Sequence, residues 1–175
     1  MEGYCLISKA LQEAIDHLKI QDVYVSSMIC RHADDADPKY TDYSVFEIQL
    51  KHHVSKSSVV ELEDGDQIMR VKVDLGVRWV EEDSEDKSGR EIITEKALVE
   101  ASFIAEYGIK KSLDKKSLDE FALKNVSFHV WPYWRELLAT TCARMELPKV
   151  VLPTVQFAKN GSSSRMKKAQ KPTTH

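Results

Sequence analysis

The chain has 175 residues, 42% hydrophobic and 30% charged, and its net charge of −3 does not favour binding to nucleic acid or to membranes. That is enough for one globular domain, and the start of the chain lacks the pattern of a signal peptide. No apolar run approaches the roughly 20 residues that cross a bilayer. The scattered Cys5, Cys30 and Cys142 are typical of reduced thiols. We therefore predict a cytoplasmic protein.

The first predicted elements are a helix and a strand. Apolar residues at helical spacing predict an amphipathic helix over residues 6–19, which we interpret as a packing element. Residues 23–31 are rich in β-branched and apolar side chains and predict a strand. The alternation of this strand changes parity across Ser26 and Ser27, which predicts a bulge or bend there.

Three further strands follow. Phe46, Ile48 and Leu50 alternate with polar residues, and a connection over residues 56–65 separates this strand from the next, although Val59, Val60 and Leu62 are able to extend the pairing. Strict alternation over residues 69–79 gives the third strand an apolar face and a polar face, and residues 97–107 repeat the pattern after an acidic turn at 81–90. This pattern is typical of an antiparallel sheet covered on one side.

The last third of the chain predicts a long, broken helix. Ser117 and Glu120 have the form of a capping box, and helix is predicted from residue 117 to about 144, with a break between Asn125 and Pro132 and an end before Pro148. The predicted fold is α+β: a short N-terminal helix, a four-stranded antiparallel sheet in meander-like order, and the long helix on its apolar face. We predict one domain over residues 1–158 and a disordered basic tail over residues 159–175.

Residues 128–157 are the densest apolar stretch of the chain and also carry a motif. Pro132, Tyr133, Arg135 and Glu136 form P-Y-x-R-E, and the downstream segment has the pattern P-x-apolar-x-L-x-x-V-x-F, which is formed by Pro148, Val150, Leu152, Val155 and Phe157. Both patterns resemble the SecB family of bacterial protein-export chaperones.

The resemblance implies a fold and an activity. SecB proteins have a four-stranded antiparallel sheet with a long helix, assemble as a dimer of dimers, and hold unfolded polypeptides in apolar grooves without ATP or another cofactor. Here a basic serine-rich end replaces the second C-terminal helix and the tail that contacts the SecA motor, and a helix precedes the first strand. In these respects the chain is more similar to the SecB-like chaperones of toxin–antitoxin systems, which implies a homotetramer with an antitoxin as client.

Two alternatives stay open. General export with SecA requires an acidic outer sheet face, and Arg70, Lys72 and Arg78 count against it. A small-ligand-binding or hot-dog-like enzyme would also wrap a sheet around a helix, but would need a convergent polar pair, and the sequence contains no nucleotide-binding or nucleophile-elbow motif. We therefore predict a protein that is not an enzyme.

Other candidate sites are weaker. His52 and His53 are neighbours on a strand and point to opposite faces, so we predict no metal site. Cys142 is predicted to be buried, and the basic tail is predicted to be solubilising rather than a nucleic-acid contact. Aromatic density and nearness to the helix predict the following client-binding residues: Phe46, Ile48, Trp79, Phe128, Trp131, Trp134, Leu152 and Phe157.

Overall fold

The computed structural model describes residues 7–83, 92–152 and 165–166. Four long antiparallel strands form the sheet, two helices cover one of its faces, and a short helix precedes it, so the predicted α+β class is confirmed. The elements are α1 (Lys9–His17), β1 (Leu18–His32), a 3₁₀ turn (Tyr43–Val45), β2 (Glu47–Glu61), β3 (Gln67–Asp83), β4 (Ile92–Ile109), α2 (Lys115–Lys124), α3 (Val126–Arg144) and the two-residue β5 (Arg165–Met166).

The strand order is β1-β4-β3-β2-β5, which differs from the predicted meander. Consecutive antiparallel pairing joins β2, β3 and β4, but β1 pairs with β4, and residues 33–46 cross to the far edge of the sheet before β2 begins. This arrangement is a Greek key. Alternation in a strand determines which face is apolar but not which strand lies beside it, so the meander prediction was wrong.

The sequence predicted two irregularities of the strands, the bulge in β1 and the extended pairing of β2, but not a second shift in β1. The register of β1 against β4 shifts between Val25 and Ser27, so the predicted bulge is confirmed. A second shift lies between Ile20 and Asp22. β2 continues to Glu61 opposite β3 after a shift between Val54 and Lys56, so the extension of the pairing replaces most of the connection predicted there.

The core lies between the sheet and α3. On β3, residues 69, 71, 73, 75, 77 and 79 are all at most 2% exposed. α3 places a row of buried residues at four-residue spacing on this face, one helical turn apart, and the row consists of Val126, Val130, Trp134, Leu138 and Cys142. Each large apolar side chain buried in this way contributes roughly 1.5–3 kcal/mol, so this interface accounts for much of the stability.

The helix starts depend on contacts between α1 and α2. Asp114, not Ser117, caps α2, because its carboxylate accepts the backbone N–H of Ser117 at 2.7 Å. Glu120 accepts hydrogen bonds from the hydroxyl of Ser8 and from the Lys124 ammonium instead of closing a capping box. Ser8 in turn caps α1 by accepting from the N–H of Leu11. The predicted capping box was therefore wrong, and its glutamate joins the two helices.

The helix break lies at Asn125, the first residue of the predicted interval, and Pro132 lies inside α3. α3 ends at Arg144, before Pro148, in a left-handed turn. Glu146 has φ of +55°, and the N–H of Leu147 donates to the carbonyl oxygen of Cys142 at 3.0 Å. This is the Schellman arrangement, in which the left-handed residue is usually glycine because a side chain there is strained.

We expect Glu146→Gly to raise the free energy of unfolding by about 0.5–1 kcal/mol, since it removes the left-handed strain but adds freedom to the unfolded chain. Urea denaturation of the two proteins measures the difference. Glu136→Gly at an exposed interior position of α3 is the matched control, and should instead cost about 1 kcal/mol. Equal losses in both variants would show that residue 146 carries no strain.

Candidate functional site

The helix-facing side of β2 is only partly covered. Ile48, Leu50, His52 and Val54 lie opposite buried residues of β3, on the same face of the sheet. The three aliphatic side chains remain partly buried, while their β3 partners are at most 2% exposed. α3 lies over β4 and β3, and α2 contacts β2, yet the outer row stays partly exposed. We call it the β2–α3 seam, together with Trp131 of α3.

Trp131 closes the seam from the helix side. Its ring lies 6.4 Å from that of His52, at an angle of 81°, which is an edge-on contact. Nε2 of His52 is 2.7 Å from the hydroxyl oxygen of Ser127, a buried residue one turn earlier in α3. The helix is therefore fixed against β2 by one polar contact and one aromatic contact, with partly buried apolar side chains on either side of His52.

The seam continues toward the start of β2. Phe46 packs edge-on against Tyr43 of the 3₁₀ turn, with ring centroids 5.8 Å apart. Leu152, from the segment that follows α3, is also partly buried against the core. Beyond Gln49, no strand among the described residues pairs with the free edge of β2, which leaves main-chain groups available to an extended chain.

A second incompletely covered apolar surface lies on β1. Ile20, Val25 and Met28 pair with residues of β4 that are buried on the helix-facing side. In contrast to their partners, these three side chains are 39–41% exposed. β1 is also an edge strand of the sheet. Both edges of the sheet therefore carry accessible apolar side chains on the face that the helices cover.

No protein-family model matches the sequence, and no curated protein matches it at a significant level. The structure is similar to that of the Mycobacterium tuberculosis Rv1957 SecB-like chaperone, solved in complex with a ChAD peptide from the Rv1956 HigA1 antitoxin. The TM-score is 0.59 at 13% sequence identity, and the match covers 85% of this chain and 98% of the other. This chain has the SecB-like fold.

The SecB-like fold separates the predicted client-binding residues into two groups. Trp79 and Trp134 are core residues, 0% and 1% exposed, so in this conformation neither reaches a client. Phe46, Ile48, Trp131 and Leu152 are partly buried, and the 48% exposed Phe128 lies on α3 three residues before Trp131. Phe157 lies outside the described residues.

Sequence reasoning missed three seam residues, namely Leu50, His52 and Val54, as members of a site. The alternation that identified Ile48 continues through all three, and this signal was sufficient to find them. The motif residues Pro132, Tyr133, Arg135 and Glu136 are exposed on α3. They surround the buried Trp134 in sequence but are not part of the seam.

The outer face of the SecB-like sheet carries both signs of charge. Arg70 donates to Glu106 at 2.7 Å and to the Tyr24 hydroxyl at 2.6 Å, and Lys51 lies 3.0 Å from Glu100. Arg78 donates to the side-chain oxygen of Gln49. Exposed pairs of this kind contribute little stability. The mixture is a weak match for the acidic face that a SecA contact would need.

The other candidate chemistry finds no support in the geometry. Among the described residues no group of three possible ligands could hold a metal ion. Burial raises the pKa of Cys142 to about 11, so its sulfur is a protonated thiol, and His129 instead contacts the Tyr107 hydroxyl at 2.9 Å. Within the described part of the chain, no helix is sufficiently long and apolar to cross a membrane.

Two histidines are expected to make stability depend on pH. Burial lowers the pKa of His52, with a smaller contribution from the neighbouring His53, and burial lowers the pKa of His129. As the pH falls below about 7, these histidines are protonated in the unfolded chain at a higher pH than in the folded protein. Proton uptake therefore favours the unfolded chain, and the free energy of unfolding should decrease toward pH 5.

Urea denaturation at several pH values between 7 and 5 tests this. The double variant His52→Gln/His129→Gln should flatten the dependence, whereas His53→Gln removes only the smaller contribution to His52 and should change it less. A slope that is the same in the wild type and the double variant would contradict the assignment.

Proposed function

We propose that this protein is an ATP-independent chaperone that holds an unfolded segment of polypeptide at the β2–α3 seam. The observation that carries the proposal is the row of partly buried apolar side chains beside an edge of β2 that, beyond Gln49, has no strand partner among the described residues. Packing among the described residues leaves this row partly exposed, and an extended polypeptide has both the apolar side chains and the main-chain groups to cover it.

The seam suits loosely specific recognition. Apolar contact with Ile48, Leu50, Val54 and Trp131 is non-directional, and each large side chain that a client buries there contributes roughly 1.5–3 kcal/mol. Hydrogen bonds to the edge of β2 depend on the client's main chain and not on its sequence. Such a site selects extended, apolar segments and rejects folded proteins, whose main chains are already paired.

The client that we propose is the antitoxin of a toxin–antitoxin system. Support comes from the structural neighbour, which was solved with a peptide from an antitoxin. We further propose that the protein is cytoplasmic and that it forms a homotetramer. The reason for the assembly is that the exposed Ile20, Val25 and Met28 on the edge strand β1 need a cover that another copy can supply.

The alternative of a small-ligand enzyme is less well supported. A cavity of about 320 Å³ lies between the 3₁₀ turn and the end of α3. Its two carboxylates, Asp42 and Glu146, are exposed, and its thiol, Cys142, has a pKa raised by burial. This combination is not a convergent acid–base pair of the kind that catalysis needs.

Light scattering tests the proposal. We expect a mass near four subunits, which rises when reduced, carboxymethylated α-lactalbumin is added without nucleotide. This polypeptide stays unfolded in ordinary buffer, and its native form is the matched control that should leave the mass unchanged. A protein whose mass is the same with the unfolded and the folded form would refute the chaperone function, and a monomer that still binds would refute only the tetramer.

A further inference from the structure

A segment of the chain itself occupies part of the β2 edge. β5, Arg165–Met166, pairs antiparallel with β2, with Met166 opposite Ile48 and Arg165 opposite Gln49. Ile48 belongs to the β2–α3 seam and lies near the start of β2, so this pairing lies where a client strand would begin. The contact does not complete the fold, because the four long strands and their helices already form the core.

We propose that the C-terminal segment is an internal competitor of the client. By adding as a strand at Ile48 and Gln49, it occupies main-chain groups that an unfolded polypeptide would otherwise use, and a client must displace it. The inference rests on the proposed chaperone function and adds a regulation of the same site.

The course of the chain makes this competition intramolecular. Leu147 and Pro148 line the same cavity as Tyr43 and Ser44, so the segment after α3 passes the 3₁₀ turn just before β2 starts. Residues 153–164 then connect Leu152 to β5. Twelve residues span up to about 40 Å when extended, which is ample for a return to Ile48. Such a tether gives the segment an effective concentration on the order of millimolar.

The composition of the C-terminal segment makes it a weak competitor. A regulator of this kind has to be weak, because clients must be able to displace it. Among the described residues, the pairing of this segment with β2 covers two positions. Within residues 159–171, Met166 is the one large apolar residue, and the stretch around it consists mainly of Gly, Ser and Lys, which are poor strand formers. A client segment with several large apolar side chains buries more surface in the seam. The segment therefore sets a threshold that excludes chains with few apolar residues.

Proline substitutions in the full chain test the proposal. Arg165→Pro/Met166→Pro removes both amide donors of β5 and prevents strand pairing. Ala169→Pro/Gln170→Pro is the matched control, with the same number of prolines in the same tail but outside β5. Amide hydrogen exchange over residues 47–50 reports the pairing. The affinity for fluorescently labelled, carboxymethylated α-lactalbumin reports the competition.

We expect the β5 variant to exchange faster at residues 47–50 and to bind the unfolded polypeptide about three- to tenfold more tightly, as the loss of one or two hydrogen bonds implies. The control should match the wild type in both measurements. Equal exchange in all three proteins would overturn the pairing, and faster exchange without tighter binding would overturn the competition. If none of the three binds, the chaperone function fails, and with it the competition, while the exchange data still decide the pairing.

Discussion

Replacing Trp134 with alanine is expected to lower the free energy of unfolding by about 3–5 kcal/mol, the range for removing a large aromatic side chain from a core. Trp134 is 1% exposed and lies at the centre of the buried row of α3. Its ring contacts Phe103 of β4 edge-on, at 6.4 Å between centroids. A loss of this size is comparable with the whole stability of many domains, so part of the variant should be unfolded without denaturant.

Urea denaturation monitored by circular dichroism measures this effect. Tyr133→Ala is the matched control, since Tyr133 is the preceding residue of the same helix and is 49% exposed. The control should change stability by about 0.5 kcal/mol or less. A Trp134→Ala protein as stable as the control would show that α3 does not pack on the sheet as described. Loss of client binding in this variant would reflect unfolding rather than a lost contact.

Trp134 also shows where sequence reasoning reached its limit. Its aromatic neighbours led to its assignment as a client-binding residue. In the structure Trp134 belongs to the buried row, which extends from it two turns toward the start of α3, to Val130 and Val126. Four-residue spacing from Leu138 back to Val126 was visible in the sequence. A single helix pattern cannot, however, show which of two apolar faces meets the sheet.

Long-range contacts account for the other differences. Alternation predicted the apolar faces of β3 and β4 correctly, because burial on one side acts on each strand separately. The pairing of β1 with β4 joins residues far apart in the sequence, such as Leu18 and Ile109. The hydrogen bond between Ser8 and Glu120 likewise removes Glu120 from the predicted cap. Local patterns carry no information about either contact.

The candidate site follows from the same geometry. α3 crosses the sheet above β3 and β4, so their helix-facing residues are buried, whereas those of the edge strands are only partly covered. The position of α3 over the middle of the sheet thus explains both the exposed apolar side chains on β1 and the seam on β2. We propose that a second copy covers the first edge and that a client covers the second, with β5 as the intramolecular occupant at the start of β2.

The second large effect is expected at Trp131. Trp131→Ala should weaken binding of labelled, carboxymethylated α-lactalbumin about ten- to thirtyfold, because an aromatic anchor at the centre of an apolar site contributes most to affinity. Unlike Trp134, Trp131 is only partly buried and faces His52 across the seam, so its loss should leave the protein folded. Fluorescence anisotropy gives the affinity, and circular dichroism confirms the fold.

Two further variants distinguish binding at a specific site from nonspecific adsorption to apolar side chains. Ile29→Ala removes a side chain that is 53% exposed on β1, opposite Glu100, and should leave the affinity unchanged. Leu50→Asp places a charge on the β2 side of the seam and should weaken binding as strongly as Trp131→Ala, since a client that covers this row would have to bury the charge. Equal losses in Trp131→Ala and Ile29→Ala would mean that the client adsorbs to any exposed apolar side chain. If Leu50→Asp bound the client as tightly as the wild type, the client site would not be on β2.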